Sequence, residues 1–576
     1  MSITASGSTN IQYDSLTVVP LGGQSELGQL LWVIIYGGEI LLVDAGAAYP
    51  YEKLPGVDLL LPNTNFLEAN QDKIIALLLT NGHEEHSGAV SYLLRHLDVP
   101  KIMAPRFVCQ LLSSAVVGAG EAREGIELAD RLDSIESGRT YEIGNFEVEW
   151  LPVNNAIADA CALRVASPVG QIVYTSSFKL DQSPVDKRFL DVGGFSKAGD
   201  KGVLLLISDS AGVEYRGYTP SEASISQALE KHVLNASGRV FIVFPGTNTH
   251  RLQIFFDVAA RTGRKVVLVG EPLLKTALAA AVTGNLNYDR ALEATIEQLK
   301  NIACENVMII ASGIEDDPLN VLYDIAYGYN PEVTLVDGDT LIYSSHVMPG
   351  KLRFMAMILD QLLALGVKAV HGFDQGVNVS KHASTEELKL MLTMVKPKYF
   401  IPAIGEARHI MHHSQLAIDW GIEPDNVFPL SNGEILELKN GIASLTGSIE
   451  AEPVLYNREQ GERVSTASVK ERRVLSLEGV VTVALVVDPD FRIIAGPNIS
   501  AGASGFLRSG EWREACISLK EAIMQTVEKV GKDNGIESNT IRSAIRDICV
   551  KTLRGRLNAK PTVQVVLHEV ATSRPR

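Results

Sequence analysis

Residues 74–80, IIALLLT, form an unbroken apolar run that stops at Asn81-Gly82-His83-Glu84-Glu85-His86, and a helical pattern follows over 87–96. A short apolar run of this kind reads as a strand buried on both faces, which needs covering layers on each side. That requirement selects a layered α/β fold. A loop leaving the carboxyl end of such a strand is also the usual place for a site. Two imidazoles and two carboxylates within residues 83–86 are the donor types that gather a divalent metal. Acids at a helix start also favour the helix dipole, so a solvated helix cap fits the same residues.

The pattern recurs along the chain. LTVVPL (16–21), LLWVIIY (30–36), EILLVDAG (39–46), FEVEWLPV (146–153), ALRVAS (162–167) and QIVYTSS (171–177) read as strands. From residue 221, strand–helix units restart with GRVFIVFPG, KVVLVG and VMIIASG, as in a doubly wound sheet inserted into the first fold. After about residue 375 come a helix (384–395), the strand YFIPAIG and short pieces turned by Asn-Gly pairs at 432–433 and 440–441. The expected parts are 14–220, an insertion over 221–372, a return over 373–450, a polar linker at 451–470 and a small α/β domain at 471–576. In the last part, Trp512, Ala515, Cys516, Leu519, Ala522, Ile523, Val527 and Val530 share one helical face.

Charge supports a separate carboxyl-terminal module. Residues 466–576 hold 17 Lys+Arg against 12 Asp+Glu, a net of +5, so the rest carries −21 of the total −16. That balance opposes non-specific adhesion of the larger part to nucleic acid, which depends on Lys and Arg. The five cysteines are scattered, with no CxxC pair, and are expected to be mostly reduced core thiols of a cytoplasmic protein. No run of about 18 apolar residues predicts a membrane span.

LGGQSELGQ (21–29), LLVDAGAAYP (41–50), TNGHEEHSGAVSYLL (80–94), VNNAIADA (153–160), YTSSFKLDQSPVD (174–186), GTNTHR (246–251), NVSKHASTEELKLML (378–392), KPKYFIPAIGEARHIMHHSQLA (396–417) and EGVVTVALVVDP follow one another in an order that resembles the ribonuclease J family. The resemblance implies an αββα metallo-β-lactamase sandwich split by a β-CASP α/β domain and followed by a small carboxyl-terminal α/β domain. It implies metal-dependent RNA phosphodiester hydrolysis at two zinc or manganese ions, and assembly into dimers or tetramers.

The metal site departs from that pattern. The resemblance places ligands at positions 81, 83, 85, 86, 155, 177 and 404, and this chain has Asn81, His83, Glu85, His86, Asn155, Ser177 and Ile404 there. One metal keeps only His83; the other keeps Glu85 and His86; the bridging carboxylate is gone. No metal, or one weakly held ion at His83, Glu85 and His86, is expected. The substrate loop implied by the family is Asn378-Val379-Ser380-Lys381-His382, with Lys381 in place of a glycine and His382 as vestigial proton donor. His250 and Arg251 complete the implied RNA contacts, and Glu315, Asp316 and Asp317 put acids along the RNA path. The reading is a catalytically weak or inactive subunit in RNA processing, assembled with itself or with an active paralogue. An active nuclease recruiting Asp159 or Asp181, and a non-catalytic RNA-binding protein, are the alternatives.

Overall fold

The structure, a computed structural model, describes residues 14–50, 54–116, 128, 130–313, 318–347, 349–458, 460–502, 510–530 and 537–570. It divides into two compact units, residues 1–49 with 60–454, and residues 50–59 with 455–576.

Two sheets face each other in the larger unit. The eight-stranded sheet runs Ile442–Ser448, Glu434–Lys439, Leu16–Gly22, Leu31–Tyr36, Glu39–Val43, Ile74–Leu78, Ile102–Pro105, Leu132–Ile135. The six-stranded sheet runs Tyr399–Ala403, Val203–Asp209, Gly170–Tyr174, Cys161–Ser167, Phe146–Pro152, Thr140–Ile143. Strand alternation sorts the side chains between layers. Leu205 and Ile207, with Tyr399 and Ile401, point inward to pack with Trp32, Leu41 and Leu78. Leu206 and Phe400 point outward against Phe195, Leu388, Met391 and Ala417 from the covering helices. The runs are apolar throughout because both faces are buried.

The insertion carries its own five-stranded parallel sheet, ordered Lys265–Val269, Val307–Ala311, Val240–Val243, Thr340–Tyr343, Lys368–Val370. Val240 and Ile242 pack with Leu252, Phe255 and Leu273, whereas Phe241 and Val243 pack with Leu322, Ile358 and Leu362. The chain then returns to both sheets of the sandwich: Tyr399–Ala403 pairs with Val203–Asp209, and Glu434–Lys439 pairs with Leu16–Gly22.

In the smaller unit, Val480–Val487 lies between Ile493–Gly502 and Thr562–Glu569. It is buried on alternate residues, so only one face is covered. Val481, Val483 and Leu485 meet Leu519, Ile523 and Val527 of one helix and Ile541, Ile545 and Cys549 of the next. The segment 451–470, expected as a linker, instead contains the paired strands Val454–Asn457 and Glu462–Arg463 and the start of helix Thr466–Glu478. Its polarity reflects a hairpin with mostly exposed residues, not absence of structure. The cysteines also differ from expectation: Cys161 and Cys549 are buried, but Cys304 is exposed and Cys109 and Cys516 are intermediate. Among the described residues no helix is long and apolar enough to cross a membrane.

Candidate functional site

The sequence-predicted positions converge where the strands of the sandwich end. Ile74–Leu78 delivers the 80–87 loop, Glu39–Val43 delivers Asp44, Gly170–Tyr174 delivers Ser176 and Ser177, Val203–Asp209 delivers Asp209, and Tyr399–Ala403 delivers Ile404. Loop Asp44–Ala47 lies directly on the histidine loop. Ala45 N–H donates to His86 O (2.7 Å) and Ala47 N–H to Glu84 O (2.9 Å). A Cβ on Gly46 would fall 1.7 Å from Glu85 O, so only glycine permits this approach.

Asn81, His83, His86, Asn155, Ser177 and Ile404 are all buried, and the polar ones are saturated by one another. His83 Nε2 lies 2.9 Å from Asn155 Oδ1, which also accepts from Ala156 N–H. An amide oxygen only accepts, so His83 presents a proton there, and Nδ1 accepts from the Thr247 hydroxyl at 2.9 Å. Asn155 Nδ2 donates onward to Ser177 O (2.7 Å). His86 has the opposite tautomer. Its Nδ1 donates to Asp44 Oδ2 (2.7 Å) and its Nε2 accepts from Ser177 Oγ (2.9 Å). Asn81 Oδ1 accepts from His83 N–H, and its Nδ2 donates to Ser176 Oγ. Asp44 is the anchor beneath: it also accepts from Thr80 and from Tyr174 Oη. Burial, then the Asp44 carboxylate, holds the Tyr174 phenol well above its usual pKa.

A metal needs lone pairs pointed at a common centre. Here one imidazole aims a proton at Asn155 and the other has its lone pair taken by Ser177. Ile404 packs into the apolar core between the sheets. Among the described residues no group of three or more His, Cys, Asp or Glu is arranged to hold a metal. The residues present therefore do not fit a zinc or manganese centre, mononuclear or dinuclear. Asp159 pairs with Arg188 and accepts from Phe107 N–H, and Asp181 accepts from Ser183 and Glu222 N–H, so neither is placed as a replacement ligand.

Ile404 keeps a left-handed backbone, φ 55°. That conformation costs a non-glycine residue about 1–2 kcal/mol, and a β-branched one rarely adopts it. Two backbone bonds lock it, Ile404 N–H to Gly23 O and Ser210 N–H to Ile404 O.

The partly exposed layer lies above. Lys381 Nζ is 2.9 Å from Glu85 Oε1. Burial raises the Glu85 pKa, but the Lys381 ammonium overrules it and holds the carboxylate ionised, below the usual range. His382 Nδ1 donates to Asp209 Oδ2 (2.8 Å). Gly212 lets the 210–212 turn press against the Ala383 backbone, where a Cβ would come within 2.3 Å of Ala383 O.

Arg251 and Asn378, expected to touch RNA, work from inside. Arg251 is buried and bonds Glu222 Oε1 (2.6 Å), Ser344 O (2.6 Å), Asn378 Oδ1 (2.8 Å) and Val379 O (3.2 Å). Lys179 reaches Glu222 (3.5 Å) and Ser380 O (3.3 Å). Burial raises the Glu222 pKa, but Arg251 and Lys179 bring it down to about 2. His250 lines a cavity of about 290 Å³ beside Asn155, with Asp186, Arg188 and Phe189. Burial lowers the His250 pKa against the pull of Asp186. Ser380, half-buried, caps His382 N–H. Glu315, Asp316 and Asp317 lie outside the described residues. Asp44, Asp209, Lys179 and Glu222 were given no role from sequence. For Asp44 and Asp209 the signal was an acid directly following, or ending, a mostly apolar strand; Lys179 and Glu222 carried no such signal.

Comparison with known proteins gives four family matches. They are the metallo-beta-lactamase superfamily over residues 26–174, the ribonuclease J beta-CASP domain over 237–362, the Zn-dependent metallo-hydrolase RNA specificity domain over 373–425 and the ribonuclease J C-terminal domain over 467–570. Ribonuclease J of Synechocystis sp. is 32% identical, covering 85% of this chain and 76% of that protein. Ribonuclease J of Thermus thermophilus is 32% identical over 88% and 87%, respectively. Ribonuclease J2 of Bacillus subtilis is 29% identical over 97% and 99%. A crystal structure of a protein of unknown function from Enterococcus faecalis V583 aligns with TM-score 0.53 at 17% identity, over 74% of this chain and all of that one, a likeness of fold alone. With its metallo-β-lactamase fold, β-CASP insertion and carboxyl-terminal domain, the chain belongs to the ribonuclease J family.

Proposed function

We propose that this chain is a catalytically inactive ribonuclease J-type subunit that acts in RNA processing and decay by assembly, with itself or with an active paralogue. One observation carries the reading: both histidines left at the ligand positions spend their ring nitrogens on protein partners, His83 on Asn155 and Thr247, His86 on Asp44 and Ser177. In this family's chemistry paired metals activate the attacking water and stabilise the leaving oxygen. Without them, the imidazoles cannot supply that electrophilic charge. What remains for RNA is the partly exposed layer, with Ser380, Lys381 and His382 above it and His250 at its side. Arg251 and Asn378 shape that layer without touching a ligand.

The test is hydrolysis of 5′-monophosphorylated RNA by the purified chain with zinc or manganese supplied, alone and mixed with a ribonuclease J of the same organism. The expected result is no cleavage by the chain alone, and a mixed oligomer by native mass spectrometry. Metal-dependent cleavage by the chain alone, abolished by chelator, overturns the reading.

A further inference from the structure

We infer that Lys381 is a resident cation, which balances the charge of Glu85 from within the chain as a bound metal would balance it from outside. The inference rests on the metal-free reading above. Among the residues at positions 81, 83, 85, 86, 155, 177 and 404, Glu85 is the one carboxylate. A carboxylate in a cleft this enclosed must be paired or neutralised, because desolvating a lone charge is costly. Glu85 Oε1 faces Lys381 Nζ at 2.9 Å and His86 Nε2 at 3.7 Å, so the ammonium is the closer of the two and makes the ion-pair contact with the carboxylate. Both side chains are mostly enclosed, Lys381 at 20% and Glu85 at 15% exposure, which sets this pair apart from the exposed ion pairs on the surface.

The lysine is delivered, not merely near. The residues before it are tied down from below: Arg251 bonds Asn378 and the Val379 carbonyl, and Lys179 donates to the Ser380 carbonyl. The residue after it is tied by His382 to Asp209. Held on both sides, the loop can project only the residue at 381 towards Glu85. A side chain without charge there would leave the carboxylate desolvated and unpaired.

The experiment compares thermal unfolding of the full chain and three variants, each with chelator and with added zinc or manganese chloride. Wild type is expected to unfold at the same temperature in all conditions. Lys381→Ala should unfold several degrees lower than wild type with chelator and with metal alike, since Glu85 is then left enclosed without its cation. Lys381→Ala combined with Glu85→Gln should regain stability without metal and show no response to it. Lys381→Arg, which keeps the charge, should stay metal-silent. If Lys381→Ala fails to fold while the double variant folds, the coupling is shown directly. A Lys381→Ala protein as stable as wild type, or a double variant that regains none of the loss, overturns the inference alone. Metal binding by wild type overturns the metal-free reading itself.

Discussion

The floor of the cleft and the wall above it are held by different kinds of contact. On the floor, the positions where the family resemblance expects metal ligands hold Asn81, Asn155, Ser177 and Ile404, and the polar ones are hydrogen-bonded to Ser176, His83 and His86. In the wall, the charged groups Arg251, Glu222 and Lys179 are buried together. The floor's bonds join mostly neutral groups, with the Asp44 carboxylate as a charged anchor beneath them. The wall's are ionic, desolvated and coupled, so removing one member strands another. Ile404 is held through its backbone: its left-handed conformation is locked by bonds to Gly23 and Ser210.

The largest effect should come from the wall. Arg251→Met leaves Glu222 buried without its main partner and is expected to cost about 3–5 kcal/mol in urea unfolding. Adding Glu222→Gln should recover much of it, and failure to recover would remove the distinction between wall and floor. Asp44→Ala takes away the anchor shared by Thr80, His86 and Tyr174, with an expected loss of about 2–3 kcal/mol, because hydrogen bonds to a charged group are involved.

Acid should act in two windows, one set by His413 beside Ser210 and one by the wall carboxylate Glu222. His413 is buried, its Nδ1 hydrogen-bonded to Ser210 Oγ, and burial pushes its pKa from 6.5 to about 3. The folded protein keeps it neutral while the unfolded chain protonates it. Its stabilisation is therefore complete above 6.5 and declines as pH falls towards 3, by about 1.4 kcal/mol per unit. His413→Gln should flatten that slope. Glu222, lowered from 4.5 to about 2, contributes above 4.5 and is lost as pH falls through 2. Arg251→Met should shrink this lower window and leave the upper one alone. The smallest effect belongs to the floor: Ser177→Ala removes the donor to His86 Nε2 and should cost only about 1 kcal/mol. A loss as large as that of Arg251→Met would break the comparison.

Sequence carried part of this picture, for physical reasons. Ligand chemistry belongs to the side chain, so Asn81, Asn155, Ser177 and Ile404 could be recognised as non-ligands at their positions. The buried strands were legible because a sheet covered on both faces needs unbroken apolar runs. The closed hydrogen-bond chain was not legible, since it depends on where each ring nitrogen lies in space. Arg251 and Asn378 looked like surface contacts because a buried, fully bonded arginine has the same letter as an exposed one. The 451–470 hairpin was not legible because Glu462–Arg463 is exposed and Val454–Asn457 buries adjacent rather than alternate residues, so neither shows the apolar alternation of a half-buried strand.

Elemental mass spectrometry of the purified chain, exposed to zinc and manganese and then dialysed, bears most directly on the metal-free floor. Well under one metal per chain is the predicted result. About two metals per chain would contradict it, and would mean that His83 and His86 release Asn155 and Ser177 to rebuild a centre with other residues.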